Sequence, residues 1–385
     1  MAAPMERQQE EKEEEEEEDW VLDSLGLYED LHVFDLQEPT RVLEWTRGPS
    51  ICVAGYGGSG GDGRSEILQL GLPPRLCARE KQGLCPERDF KVERGGFSRR
   101  PVHGLKQVPD TGLLVTSGPP DSSLQVWQMA AEDTDVIHFV STIPAGNASE
   151  KSWAKIATAF AGNPWVLHGS RVSNVQVTEI ESKRSIYKAA SNNSDEVGGL
   201  EFLDCNTFLV CSTKGRLSLA DIRQPPSPLE GAPVSSALGG DRWCMGVGHS
   251  PDGGALAAAC FSSGGQLVLT DLRSSSMPLK QATCKVPVPG QNAEFLGVSW
   301  APALEGCLAV SGFDGTVHIY DTKTWDDSSR EAAPLFVHKG HAFGGAGSGA
   351  VVTVHTWHPW KPRTVLSAAS DGSLHVWDWM DPCSS

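Results

Sequence analysis

The chain has 385 residues, a formal net charge of -17, 39% hydrophobic residues, 12 Trp, 41 Gly and 25 Pro. Apolar material for a core is ample, and Gly and Pro above average usage favour many short strands and turns over long helices. No uninterrupted apolar run of about 18 residues occurs, and the first residues carry no leader-like apolar stretch, so a soluble intracellular protein with no membrane partner is expected.

The charge is concentrated at the start. Residues 1–38 hold 15 Asp/Glu against Arg7 and Lys12, so -13 of the net charge falls there and -4 on the remainder. Residues 1–18, with consecutive glutamates from Glu13 to Glu18, read as a disordered acidic tail, either simply solvated or docking to a basic partner. Residues 19–30 read as a short amphipathic helix that Asp19 can cap and on which Val21, Leu25 and Tyr28 share a face. Packing against the rest of the protein is the plain use of that face, and partner binding the sharper one. LHVFDL, Leu31 to Leu36, then reads as a strand.

From here the sequence repeats itself. Seven phrases of the form apolar strand, turn, apolar strand run from Ile51 to Leu70, Leu113 to Gln128, Val166 to Glu179, Phe208 to Asp221, Leu256 to Asp271, Leu308 to Asp321 and Leu366 to Asp378. Each is preceded by a further strand-like phrase, beginning at Val42, Leu105, Ile156, Leu200, Met245, Gly297 and Val354. Three strands per unit are visible, and a variable fourth lies between units.

Between the first two units, Arg75 to Arg100 holds eight Lys/Arg against four Asp/Glu. It lies in the long connection between those units and reads as an ordinary edge of a repeat unit with solvated charges. A patch for an acidic partner surface or RNA is the sharper reading, with Arg88, Lys91, Arg94, Arg99 and Arg100 as candidates. Its aromatics, Phe90 and Phe97, are too sparse for a base-stacking platform, so direct nucleic-acid binding is not expected.

The last unit ends at Trp379 and residues 380–385 form a short tail, so no further strand can follow. An apolar edge strand left open invites pairing with another chain. Pairing Leu31 to Leu36 beside Leu374 to Trp377 would close it.

Four short strands in about 40 to 45 residues, with KGH at Lys339 to His341 and VWD at Val376 to Asp378, resemble the WD40-repeat family. The resemblance covers residues 31–379 and implies an all-β, seven-bladed propeller whose last blade is closed by the N-terminal strand. It also implies a buried hydrogen-bond chain through His341, Ser367 or Ser370, Asp371 and Trp377. The other units lack one or both signatures, so the same chain is not expected in them.

Longer phrases, among them DWVLDSLGLYEDLHVFDLQEPTRVLEW and PERDFKVERGGFS, resemble one branch of this family. That resemblance implies a cytoplasmic, non-catalytic scaffold that assembles the RNA endonuclease module of the Integrator complex. Its alternative is an adaptor associated with microtubules, spindle poles and the cleavage furrow in mitosis.

Signals for chemistry are absent. The glycine-rich stretches lack the Lys-Ser/Thr pair of a phosphate loop, and no nucleophile phrase sets a serine beside a base. His355 and His358 fall on a strand, where a separation of three points them to opposite faces. The ten cysteines form no C-x-x-C pair, and buried free thiols are expected. No catalytic residue, cofactor or metal is expected.

Overall fold

The computed structural model describes residues 26–36, 39–55, 65–73, 89–129, 135–145, 152–225, 229, 231–234, 240–249, 256–273, 278–287, 293–325, 331–343 and 349–380. Seven antiparallel sheets follow one another around a ring. The first holds β2 (Thr40–Trp45), β3 (Ser50–Gly55), β4 (Ser65–Gly71) and β5 (Lys91–Ser98). The second holds β6 (Gly104–Gln107), β7 (Leu113–Ser117), β8 (Leu124–Met129) and β9 (Ile137–Ile143), and the third β10 (Lys155–Phe160), β11 (Pro164–Gly169), β12 (Gln176–Glu179) and β13 (Ser185–Lys188). The fourth runs through β14 (Val197–Phe202), β15 (Thr207–Ser212), β16 (Arg216–Asp221) and the very short β17 (Ala232–Pro233). The fifth comprises β18 (Trp243–His249), β19 (Leu256–Ser262), β20 (Gln266–Asp271) and β21 (Pro278–Cys284), with β25 (Glu331–Ala332) added in parallel. The sixth holds β22 (Gly297–Trp300), β23 (Cys307–Ser311), β24 (Val317–Asp321) and β26 (Phe336–His338).

The seventh is made from both ends of the described chain: β27 (Val352–Trp357), β28 (Thr364–Ala369) and β29 (Ser373–Trp379), with β1 (Tyr28–Asp35) on the outside. The innermost strands β2, β6, β10, β14, β18, β22 and β27 touch in that order, and β27 touches β2. The protein is a closed seven-bladed β-propeller.

The burial pattern explains why these segments became strands. The second strand of each blade is covered on both faces by neighbouring blades, so it reads as a continuous apolar run; every residue of Cys307–Ser311 and of Thr364–Ala369 is buried. Outer strands alternate instead, as in Pro278–Cys284. Seven apolar clusters fill the seven interfaces between blades. Near the axis the strands approach closely: a Cβ on Gly246 would lie 2.3 Å from the Val298 carbonyl oxygen, so only glycine fits. Cys52, Cys211, Cys244, Cys260, Cys284 and Cys307 are buried free thiols, and Cys205 is exposed.

Ring closure follows the expected pairing, with Leu31 opposite Trp377 and Phe34 opposite Leu374. Backbone bonds continue it at both ends, from Leu36 N–H to the Gly372 carbonyl (2.9 Å) and from Met380 N–H to the Leu27 carbonyl (3.0 Å). β1 also feeds both adjacent cores: Tyr28 is buried between blades six and seven, while Phe34 and Leu36 pack on the cluster between blades seven and one.

Two expectations need correction. The helix over 19–30 does not reach its end, because Tyr28, Glu29 and Asp30 belong to β1. Strand pairing gives the otherwise open edge of β29 its hydrogen bonds, and that outweighs a local helical pattern. The start of that helix, the acidic tail and residues 381–385 lie outside the described residues. Likewise, the stretch Lys91–Ser98 is the edge that was expected but does not lie in a connection: it is the outer strand of blade one, paired along its length with β4.

Candidate functional site

The structure joins His341, Ser367, Asp371 and Trp377 in one chain, with a fifth member, Ser373; all are buried except Asp371 at its outer end. The Trp377 Nε1 donates to Ser367 Oγ (3.1 Å), which lies 2.8 Å from His341 Nε2. On the other side of the ring, His341 Nδ1 is 2.7 Å from Ser373 Oγ, and Ser373 Oγ donates to Asp371 Oδ1 at 2.7 Å. The donor inventory fixes every direction. An ionised carboxylate only accepts, so the Ser373 proton points at Asp371 and its oxygen accepts from His341 Nδ1–H. Nε2 of the neutral ring then accepts from Ser367, whose oxygen accepts from the indole.

Ser370 stands outside this chain. It lies beyond the end of β28, and its Oγ accepts from Val351 N–H at 3.0 Å.

A second chain, unforeseen in the sequence, meets the first. The Tyr28 hydroxyl is 2.7 Å from His338 Nδ1, whose Nε2 is 3.0 Å from His375 Nδ1. When the His338 proton lies on Nε2, Tyr28 donates to Nδ1 and Nε2–H donates to His375. The His341 ring stacks on His375 at 3.7 Å, and His338 stacks on Trp377 at 4.6 Å between ring centroids. A Cβ on Gly340 would sit 2.7 Å from both the His338 and His375 rings, so glycine is required beside them.

Burial, together with the neighbouring imidazoles, holds His338 and His341 well below the usual histidine range. Burial also lowers His375 to about 4 and raises the Tyr28 phenol. The three histidines place one nitrogen each within 4.8 Å of one another, as metal ligands would. Yet both nitrogens of His338 and of His341 are already engaged by directed hydrogen bonds, so the cluster is accounted for as a neutral latch holding β1. Ser367, His341 and Asp371 are also the residue types of a hydrolytic triad. Here Ser367 is 0% and His341 1% exposed, and the serine proton and lone pair are both committed within the core.

Parts of the chain recur elsewhere. In blade two Trp127 Nε1 donates to Thr116 Oγ1 (2.9 Å), and in blade three His168 Nε2 lies 2.9 Å from Thr178 Oγ1. The turn device is repeated more faithfully: Asp121 accepts from the backbone and hydroxyl of Ser123, and Asp314 from those of Thr316, as Asp371 does from Ser373. The phrase Asp-x-Ser/Thr is thus the signal that could have found Ser373.

The basic candidates separate into two kinds. Arg100 donates to Asp121 Oδ1 (3.2 Å), Ser123 Oγ (2.9 Å) and the Ser123 carbonyl, and so ties β5 to the turn of blade two. Arg94 donates to Gln69 Oε1 at 2.9 Å across β4 and β5. These two are structural, whereas Lys91 and Arg99 are exposed on the rim, and Arg88 lies outside the described residues. The same rim carries exposed Val92 and Phe97 next to Val136, Phe139 and Val140 of blade two.

The family model of the WD domain, G-beta repeat matches residues 333–378, the segment that holds the five-membered chain. Across its length the chain is 49% identical to the Integrator complex assembly factor WDR73 of Xenopus laevis, over 94% of this chain and 98% of that protein. It is 48% identical to the Mus musculus protein of that name, over 94% and 98%, and 47% identical to that of Homo sapiens, over 95% and 98%.

Proposed function

Because the chain belongs to the WDR73 family, we propose that it is a non-catalytic scaffold that assists assembly of the Integrator complex. The carrying observation is the 47–49% identity, over 94–95% of the chain, with relatives named for that role, which extends far beyond one repeat. The architecture agrees with it. A ring closed by a buried, neutral latch presents two faces and a rim while its polar chemistry is spent inside the core, an arrangement suited to holding partners. Fold alone would not give that function, since propellers serve many.

The finer proposal is that the partners are the RNA endonuclease subunits, met in the cytoplasm. Microtubules and spindle-pole proteins draw no support from the relatives' names and are not proposed. The test is quantitative mass spectrometry of what co-purifies with the tagged chain from nuclease-treated cytosol. The expected result is the Integrator endonuclease subunits in near-equal amounts. Their recovery from nuclear extract alone would overturn the cytoplasmic part, and their absence from both would overturn the assembly role.

A further inference from the structure

At the end of the ring where the innermost strands begin, the axial channel opens into a cavity of about 190 Å³. Its wall carries two cations on aromatic rings. Arg41, with a side chain only 7% exposed, lies 4.9 Å from the Phe295 ring centroid and 5.6 Å from that of Trp153. It is held there by both carboxylate oxygens of Glu294, at 3.3 and 3.2 Å. Lys155 places its Nζ 4.5 Å from the Trp153 centroid.

The two cations differ in one respect. Glu294 is engaged by Arg41, and no carboxylate among the described residues pairs with Lys155. Burial, then the charges of Arg41 and Arg242, lower its ammonium pKa to about 8. An anion beside it would reverse that shift and be drawn in by the same field.

We propose that this mouth is a docking site for one acidic side chain of a protein partner, with Lys155 receiving the carboxylate. The cavity is small against the roughly 300–1,000 Å³ of small-molecule sites, which suits a single side chain better than a nucleotide or cofactor. The Trp153 indole carries the Lys155 ammonium 4.5 Å from its centroid, and both residues line the cavity. Only the occupant's being a protein rests on the scaffold reading.

The test pans random 12-residue peptides displayed on phage against the immobilised full-length chain. Enriched peptides should share one Asp or Glu, and its replacement by Asn or Gln should weaken binding at least about tenfold. Lys155→Met, which keeps the stem on Trp153, should lose binding to the same degree at an unchanged melting temperature, and Lys155→Arg should restore most of it. Absence of enrichment, a consensus without an acid, or equal binding to Lys155→Met would overturn the site. If Lys155→Met does not fold, the paired acidic and amide peptides on the wild-type chain decide. Loss of Integrator capture with peptide binding intact would count against the proposed function and not against this site.

Discussion

Blades seven and four share one strand plan and almost no polar residues. Aligned on Gly372 with Gly215 and Leu374 with Leu217, the positions of Ser367, Asp371, Ser373 and Trp377 are Val210, Lys214, Arg216 and Ala220 in blade four. Blade four has an outer strand of two residues, pairing only at Arg216 and Leu217. Its Lys214 reaches out to Asp195 at 2.5 Å, and its interface with blade five is packed by Leu209, Cys211, Trp243, Cys260 and other apolar residues.

The difference follows from connectivity. Blade four is cut from one continuous segment, so short turns set its register and apolar packing suffices. Blade seven joins segments more than three hundred residues apart, as in the pairing of Leu31 with Trp377. There a slip of one residue would turn every side chain of β1 to the wrong face. Directed hydrogen bonds at Tyr28, His338 and His375, beside the chain ending at Asp371, accept one register alone. A buried polar network of this kind fixes geometry because any other arrangement leaves groups unpaired.

That contrast can be broken most severely by starting the chain at Arg41. Removing β1 uncovers Trp377 and opens the core between blades six and seven, and thermal unfolding should lose its cooperative transition. A melt like that of the full chain would mean that β1 is dispensable.

Next in size, Trp377→Ala should cost about 3 to 5 kcal/mol by denaturant unfolding, since the indole is wholly buried against Tyr28, Phe336 and His338. Blade four tolerates alanine at the matching position because its neighbours were built around that smaller volume. An unchanged midpoint for Trp377→Ala would erase the distinction between the two blades.

Acid should weaken blade seven more than blade four, which holds no histidine. The folded pKa of His375, about 4, lies below the ordinary value of about 6.5 in the unfolded chain. Its contribution is therefore fully present above pH 6.5 and is lost as pH falls toward 4, by about 3 kcal/mol in all. His338 and His341 act in the same direction. Unfolding midpoints measured from pH 7 to 4 should fall less steeply in His375→Asn, whose amide oxygen can still accept from His338.

Ser367→Ala should cost about 1 to 3 kcal/mol, because it strips partners from a buried indole N–H and a buried imidazole. Ser370→Ala removes one bond to Val351 N–H and should cost about 1 kcal/mol or less. Equal losses in denaturant titrations would contradict the placement of Ser367 within the chain and Ser370 outside it.

Much of this architecture was legible in the sequence. Buried second strands write themselves as apolar runs, and an unpaired last strand demands a partner, which Leu31 to Leu36 could supply. His341, Ser367 and Trp377 were within reach through the resemblance of one unit. Ser373 was missed although Asp-x-Ser/Thr recurs at Asp121 and Asp314, because a turn hydroxyl looks like any other until its acceptor is known. Tyr28, His338 and His375 leave no local pattern, since their partnership exists only once the ring has closed. Composition also could not separate Arg94 and Arg100, spent on Gln69 and Asp121, from exposed Lys91 and Arg99.

The central claim, that β1 is an integral strand of the last blade, is tested most directly by native-state hydrogen exchange. Amides of Tyr28–Asp35 that face β29 should open with the same free energy as the core amides of β28 and β29, in a single global event. Exchange of β1 amides far ahead of that core, at the rate of a frayed terminus, would contradict the account.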